Sequence, residues 1–173
     1  MKDYDIHGES IDFMRIAFSI YSRSFMKLTI LPEDPHNEDA LELMNELSGV
    51  LTSITGNGGQ SSFCIDDLKN DKSIFLIARD ENNKPIGCGA IRPMNRQCAE
   101  IKRMYSKQPQ VGTRILESLE KHAMSIGYKK IRLETRKVNE KAVRFYLRNG
   151  YYVIENYGKY VGNNLAICFE KEF

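Results

Sequence analysis

Two features of this chain have residue types and spacing that could do chemistry: the loop ending at Gly112, and Tyr146 further on. An alternating strand, Ala99 to Tyr105, enters the loop, and a helix starts where the loop ends. The first N–H groups of a helix have no partner inside it and point outward, so a loop feeding a helix N-terminus is a natural seat for phosphate. A second strand, Ile131 to Thr135, follows. Asn139 then opens a short helix that carries Phe145-Tyr146 and closes at Asn149-Gly150. A tyrosine held downstream of that seat can act as an acid. The run therefore points to an enzyme that binds a phosphorylated cofactor.

Composition narrows the setting. The 173 residues are 42% hydrophobic and 28% charged, which fits one soluble globular domain with a sizeable core. No apolar run approaches the ~20 residues that span a bilayer, so no membrane association is expected. The first residues lack the basic-then-apolar pattern of an export signal, which makes the expected location cytoplasmic. The formal net charge is +2, with Lys and Arg dispersed among Asp and Glu, so no nucleic-acid partner is expected. Cys64, Cys88, Cys98 and Cys168 form no CxxC pair and read as reduced thiols. His7, His36 and His122 lack metal-ligand spacing, so no metal is expected.

The elements that must position the chemistry follow from periodicity and punctuation. Ile11, Met14, Phe18, Tyr21 and Phe25 recur at helical spacing, and residues 1–25 read as an N-terminal extension. Residues 26–173 read as the main domain, beginning with a strand at Lys27 to Leu31. Asp34 is the expected cap of the next helix, with Pro35 in its first turn, an apolar stripe of Leu43, Leu47, Val50 and Ile54, and Gly56 at its end. Residues 56–62 form a polar loop, and one or two helical turns follow at Ile65 to Asn70. The continuous apolar run Ile74 to Ala78 predicts a strand covered on both faces. A turn at Glu81 to Lys84 leads into the strand Ile86 to Arg92, and the strand Ala99 to Tyr105 comes next. The helix Val111 to Ile126 stops at Gly127, and final strands at Tyr151 to Glu155 and Leu165 to Glu170 flank a loop at Tyr157-Gly158. This order predicts an α/β (α+β) fold: a mixed, mostly antiparallel sheet of about seven strands flanked by helices.

Five pieces then combine: IGCGAIRP, AEIKRMYS, VGTRILESLEKHAMSIGY, LETR and NEKAVRFYLRNGYYVI. Their order and spacing resemble the GNAT superfamily of N-acetyltransferases over roughly residues 27–173. The resemblance implies a splayed V between the fourth and fifth strands, and acetyl-CoA as co-substrate. It implies that the pantetheine arm pairs with Met104, Tyr105 and Ser106 like an added strand, and that the pyrophosphate sits on the loop from Lys107 through Gln110, Val111 and Gly112 to Thr113. The helix dipole agrees with an anion there, and Lys107 and Arg114 add positive charge. Lys107-x-x-Gln110-x-Gly112 stands where the family has Arg/Gln-x-x-Gly-x-Gly/Ala, and the loop is about four residues shorter. Asn139 caps the following helix and, by resemblance, contacts the cofactor arm together with Ala142 and Tyr146.

Acetyl transfer needs a base for the amine proton and an acid for the leaving thiolate. Glu100, on the strand lining the expected V, is the first choice of base, and Glu134 on the facing strand the second. Tyr146 resembles the family's general-acid tyrosine. Arg92 and Tyr157 are candidates for the acceptor side, where Arg92 would favour a substrate carboxylate. Cys88 lies on the third strand, near enough for a covalent route to be considered. The implied activity is direct acetyl transfer to a primary amine of a small molecule, amino acid or peptide, with a homodimer as the family-level assembly. A non-catalytic acyl-CoA-binding module that regulates a protein partner competes with it, motivated by the altered loop and the N-terminal segment.

Overall fold

The computed structural model describes residues 27–173; the expected extension and its helix lie outside them. The strands are β1 (Thr29–Pro32), β2 (Ile74–Arg79), β3 (Pro85–Pro93), β4 (Cys98–Ser106), β5 (Lys130–Arg136), β6 (Tyr152–Ile154) and β7 (Ala166–Glu172). The helices are α1 (Glu38–Thr55), α2 (Val111–Ser125) and α3 (Glu140–Arg148), with short 3-10 turns at Gln60–Ser62, Ile65–Leu68 and Gly158–Tyr160. The sheet order is β1-β2-β3-β4-β5-β7-β6, and every pairing is antiparallel except β4 with β5. That exception follows from α2, which carries the chain back across the sheet between them.

Burial is continuous along the middle of β2, as the sequence predicts for a strand covered on both faces, and successive side chains go to opposite layers. Phe75 and Ile77 face α1, packing with Ala40, Leu43 and Met44. Leu76 and Ala78 face α2, packing with Ile115, Leu119 and Ala123 in the larger core, which also takes Tyr146 of α3. The layers are thus α1 on one face and α2 with α3 on the other.

Two expectations for α1 are corrected. The cap is Asn37, not Asp34: the Asn37 Oδ1 accepts from the Ala40 N–H at 2.7 Å, while Asp34 is used in a local turn with the His36 N–H. Pro35 therefore precedes the helix. The buried stripe is Ala40, Leu43, Met44, Leu47 and Ser48, and Val50 and Ile54 are exposed. Leu51, half-buried, continues the inward face towards the end of the helix. Gly56 closes α1 in the left-handed conformation, as expected.

The sheet parts in its middle. β4 pairs with β5 only at Cys98, Ala99 and Glu100; beyond them β4 stays with β3 while β5 stays with β7 along its whole length. A bulge adds to the divergence. Cys88 pairs with Tyr105 and Ala90 with Lys102, leaving Arg103 and Met104 opposite Gly89 alone. Arg103 takes a positive φ of 55°. Gly89 is required there, because a Cβ would lie 2.6 Å from the Met104 Sδ and 2.9 Å from Ile115. The result is the predicted V, with one edge of β4 open beyond Glu100.

Candidate active site

The V opens into a cleft whose walls are Met104 of β4, Glu134 of β5, and Asn139, Ala142 and Tyr146 of α3, closed by Leu47 and Leu51 of α1 and by Phe63. Asn139 takes the capping role expected of it: its Oδ1 accepts from the Ala142 N–H at 3.2 Å. That cap starts α3 at the mouth of the cleft and fixes the direction of Tyr146. The Tyr146 ring is held edge-on by Phe145 and Tyr151, with centroids 5.1 and 5.6 Å away, and rests near Phe169. Burial raises its phenol pKa, so the hydroxyl stays protonated, the form an acid needs.

Glu134 faces the same cleft, at the register position of Cys168. Burial raises its carboxyl pKa against the pull of Lys102, Arg136 and the nearby Tyr160 hydroxyl. A carboxylate tuned upward is matched to taking a proton near neutral pH.

Glu100 is placed differently. It is the last β4 residue paired with β5, at the closed end of the V. Its Oε2 accepts from Arg92 Nε and Nη2 at 2.9 and 2.7 Å, and its Oε1 from Lys102 Nζ at 3.0 Å and Tyr157 OH at 2.9 Å. Burial raises its pKa, but Lys102 and Arg92 outweigh that and hold it below the ordinary range. Arg92 also pairs with Asp67, so both acceptor-side candidates, Arg92 and Tyr157, are bound to Glu100 and line a second cavity with Asp67 and Lys159. Lys102 Nζ donates to the Tyr160 hydroxyl at 2.8 Å and so links the two cavities. This buried network is structural in its geometry. Glu100→Gln, which strips the counter-charge from Arg92 and Lys102, is expected to cost ~3 kcal/mol in urea unfolding. Because the folded pKa is lowered, the stability Glu100 contributes is present above about pH 4.3 and lost as pH falls through the folded value. The variant's stability should therefore fall less steeply in acid than that of the parent.

At the other end, β4 runs through Tyr105 and Ser106 to the start of α2. The Tyr105 side chain turns to Glu46 of α1, as does Lys107, whose Nζ bonds the Glu46 Oε1 at 2.8 Å. Lys107 is thus directed to α1, and Arg114 is exposed on the first turn of α2. Gln110 occupies the left-handed conformation before α2, at φ 67°, where a glycine would be at ease. The backbone of Val111, Gly112 and Thr113 follows at the helix N-terminus. A Cβ at 112 would lie 3.1 Å from the Ser106 Oγ and 3.6 Å from the Phe145 ring, so Gly112 lets the helix start approach the strand end. These features fit a phosphate-bearing arm: an open strand edge leading to a bare helix N-terminus. Gly112→Val, whose branched methyls exceed that space, is expected to raise the acetyl-CoA dissociation constant at least about tenfold, measured by calorimetry.

Cys88 is fully buried against α1, its Sγ donates to the Arg103 carbonyl, and burial pushes its thiol up to about 12. A thiolate nucleophile there is disfavoured. Lys102, Arg103 and Arg136 are cleft residues that the sequence pattern did not single out. Tyr160 was legible only as one of several loop positions near Tyr157.

The fold and cleft define a transferase class that lays an extended, phosphate-bearing co-substrate along an open strand edge. The chain belongs to the acetyltransferase (GNAT) family, whose sequence profile matches residues 41–151. It is an N-acetyltransferase, and acetyl-CoA is its co-substrate. An "IAA acetyltransferase" of Azospirillum brasilense is 27% identical over 149 residues, covering 83% of this chain and 97% of that protein. A Klebsiella pneumoniae structure assigned to the acyl-CoA N-acyltransferases is 26% identical, with a TM-score of 0.73, covering 84% of this chain and 97% of that one. A GNAT acetyltransferase from Elizabethkingia anophelis, solved with acetyl-CoA bound, shares the fold at 20% identity and a TM-score of 0.61, covering 84% and 98%.

Proposed function

We propose that the protein moves the acetyl group of acetyl-CoA directly to a primary amine of a small molecule, amino acid or peptide. The observation that carries this is the pairing of Glu134 and Tyr146 across one cleft, beside the open edge of β4. Bound acetyl-CoA supplies an activated acyl thioester. The chain's residues do the rest. The β4 backbone from Met104 to Ser106 orients the arm, and the α2 N-terminus holds the pyrophosphate. Glu134 takes the amine proton at its carboxylate, and the Tyr146 hydroxyl gives a proton to the leaving sulfur. A backbone N–H at Met104 or Tyr105 faces the charge that develops on the acyl oxygen. Glu100 acts through Lys102 and Tyr160 as a positioning residue rather than as the base.

The catalytic unit in this reading is 26–173, with 1–25 as an extension. The four cysteines are all free, which supports a reducing, cytoplasmic setting. The test is acetyl-CoA with a panel of primary amines, following free thiol colorimetrically and the acetylated product by mass spectrometry. Amine-dependent thiol release matched by acetyl-amine supports direct transfer. Cofactor binding without turnover on any amine would favour the regulatory-module reading.

A further inference from the structure

Most buried or half-buried arginines here have an acidic partner. Arg79 pairs with Glu33 and Asp39, Arg92 with Glu100 and Asp67, and Arg132 with Glu170. Arg103 lines the acetyl-transfer cleft without one among the described residues. It sits on the β4 bulge in the left-handed conformation, at φ 55°. A bulge re-aims a side chain, and a non-glycine residue held at positive φ carries strain of about 1 kcal/mol or more. Its guanidinium lies 5.1 Å from the centre of the Phe63 ring, within cation–π range. The Nη1 and Nη2 atoms reach the Gly58 and Gly59 carbonyls only at 3.4 and 3.3 Å, and the buried Nε has no partner among the described residues. Burial lowers its pKa, the direction of a cation short of counter-charge. Arg136 lines the facing wall, so the cleft presents cations from both strands of the V.

We propose that Arg103 docks a carboxylate carried by the acceptor amine, so that the substrates are amino acids or other amines bearing an acid group. This rests on the acetyl-transfer reading above and narrows it. The acid group first expected at Arg92 belongs instead at Arg103, because Arg92 is already held by Glu100 and Asp67. A carboxylate meets a guanidinium through paired N–H donors, which is what the loosely held face of Arg103 offers. Phe63 and the loop carbonyls supply pre-organisation, and Arg103 neighbours Met104 on the open strand, beside the acyl-transfer position.

The experiment compares ω-amino acids from glycine to 6-aminohexanoate with alkylamines of the same length, and L-amino acids with their amides. It uses the full chain and Arg103→Met, which keeps the stem, and Arg103→Lys. The parent should prefer the acid-bearing acceptors by ~10- to 100-fold in kcat/KM, the range of a charged hydrogen-bonded contact. Arg103→Met should remove that preference through KM, with neutral amines and acetyl-CoA affinity unchanged, and Arg103→Lys should restore part of it. Calorimetric titration of CoA-saturated protein with 6-aminohexanoate gives a readout independent of turnover, and binding should be lost in Arg103→Met. Equal use of acids and neutral amines, or an equal loss on both in Arg103→Met, would overturn the proposal and make Arg103 a staple for the 57–63 loop. So would the absence of both acetylation and binding of every acid in protein that binds acetyl-CoA. Failure to bind acetyl-CoA at all would instead remove the transfer reading itself.

Discussion

Tyr146→Phe is expected to lower kcat about 100-fold while leaving the acetyl-CoA dissociation constant within twofold or so. The magnitude lies at the low end for general acids because a thiolate, with a parent thiol near ~8.5, leaves more readily than an alkoxide. The substitution removes one oxygen and keeps the ring contacts with Phe145, Tyr151 and Phe169. Stability should therefore change by less than about 1 kcal/mol. Steady-state turnover, calorimetry and urea unfolding on the same preparation separate the three quantities. Unchanged turnover with intact binding would reduce Tyr146 to a core aromatic.

The second large effect is at Glu134. Glu134→Gln is expected to lower kcat/KM about 100- to 1,000-fold, because the amide cannot accept the amine proton. The sign of the pH dependence follows from the environment. Burial raises the Glu134 pKa more than Lys102 and Arg136 lower it, so the carboxylate form is lost at a higher pH than for an ordinary glutamate. Activity of the parent should rise as pH climbs through that raised value. The variant should lack this limb and keep only the rise through the acceptor amine's own pKa. The parallel Glu100→Gln variant separates the two carboxylates. It should cost stability, and its pH–rate profile should keep the Glu134 limb. A profile that loses its acidic limb in Glu100→Gln and retains it in Glu134→Gln would reverse the assignment.

The order of strands and helices was legible because each signal is local. The fully apolar run at Ile74–Ala78, the cap at Asn139 and the glycine closing α1 at Gly56 each act within a few residues. The start of α1 was harder, since Asp34, Pro35 and Asn37 all carry N-terminal signals within one turn. Only the Asn37 Nδ2 contact with Glu33 and its bond to Ala40 settle which of them caps. The strand end and helix start at Met104 to Thr113 were legible because backbone signals make them, and the side chains around the cleft were less so. The donors at Glu100 include Tyr157, which comes from a loop far along the chain. Periodicity does not reveal that such a partner has already occupied the carboxylate. The bulge at Arg103 was hidden for a related reason: it depends on Gly89 of the neighbouring strand, whose missing side chain admits Met104. The alternation of β4 does break there, at Lys102-Arg103, but the break alone does not show which neighbour makes room for the extra residue.

The most direct test of the central account is calorimetric titration of the purified chain with acetyl-CoA, with thermal unfolding alongside. The account predicts one site of micromolar affinity, and at 100 times the dissociation constant a stabilisation of about 2.7 kcal/mol. The left-handed Gln110 would then be shown to serve where the family motif has glycine. No heat and no shift in unfolding at millimolar acetyl-CoA would contradict it, and would mean that the open edge of β4 and the start of α2 do not hold the co-substrate.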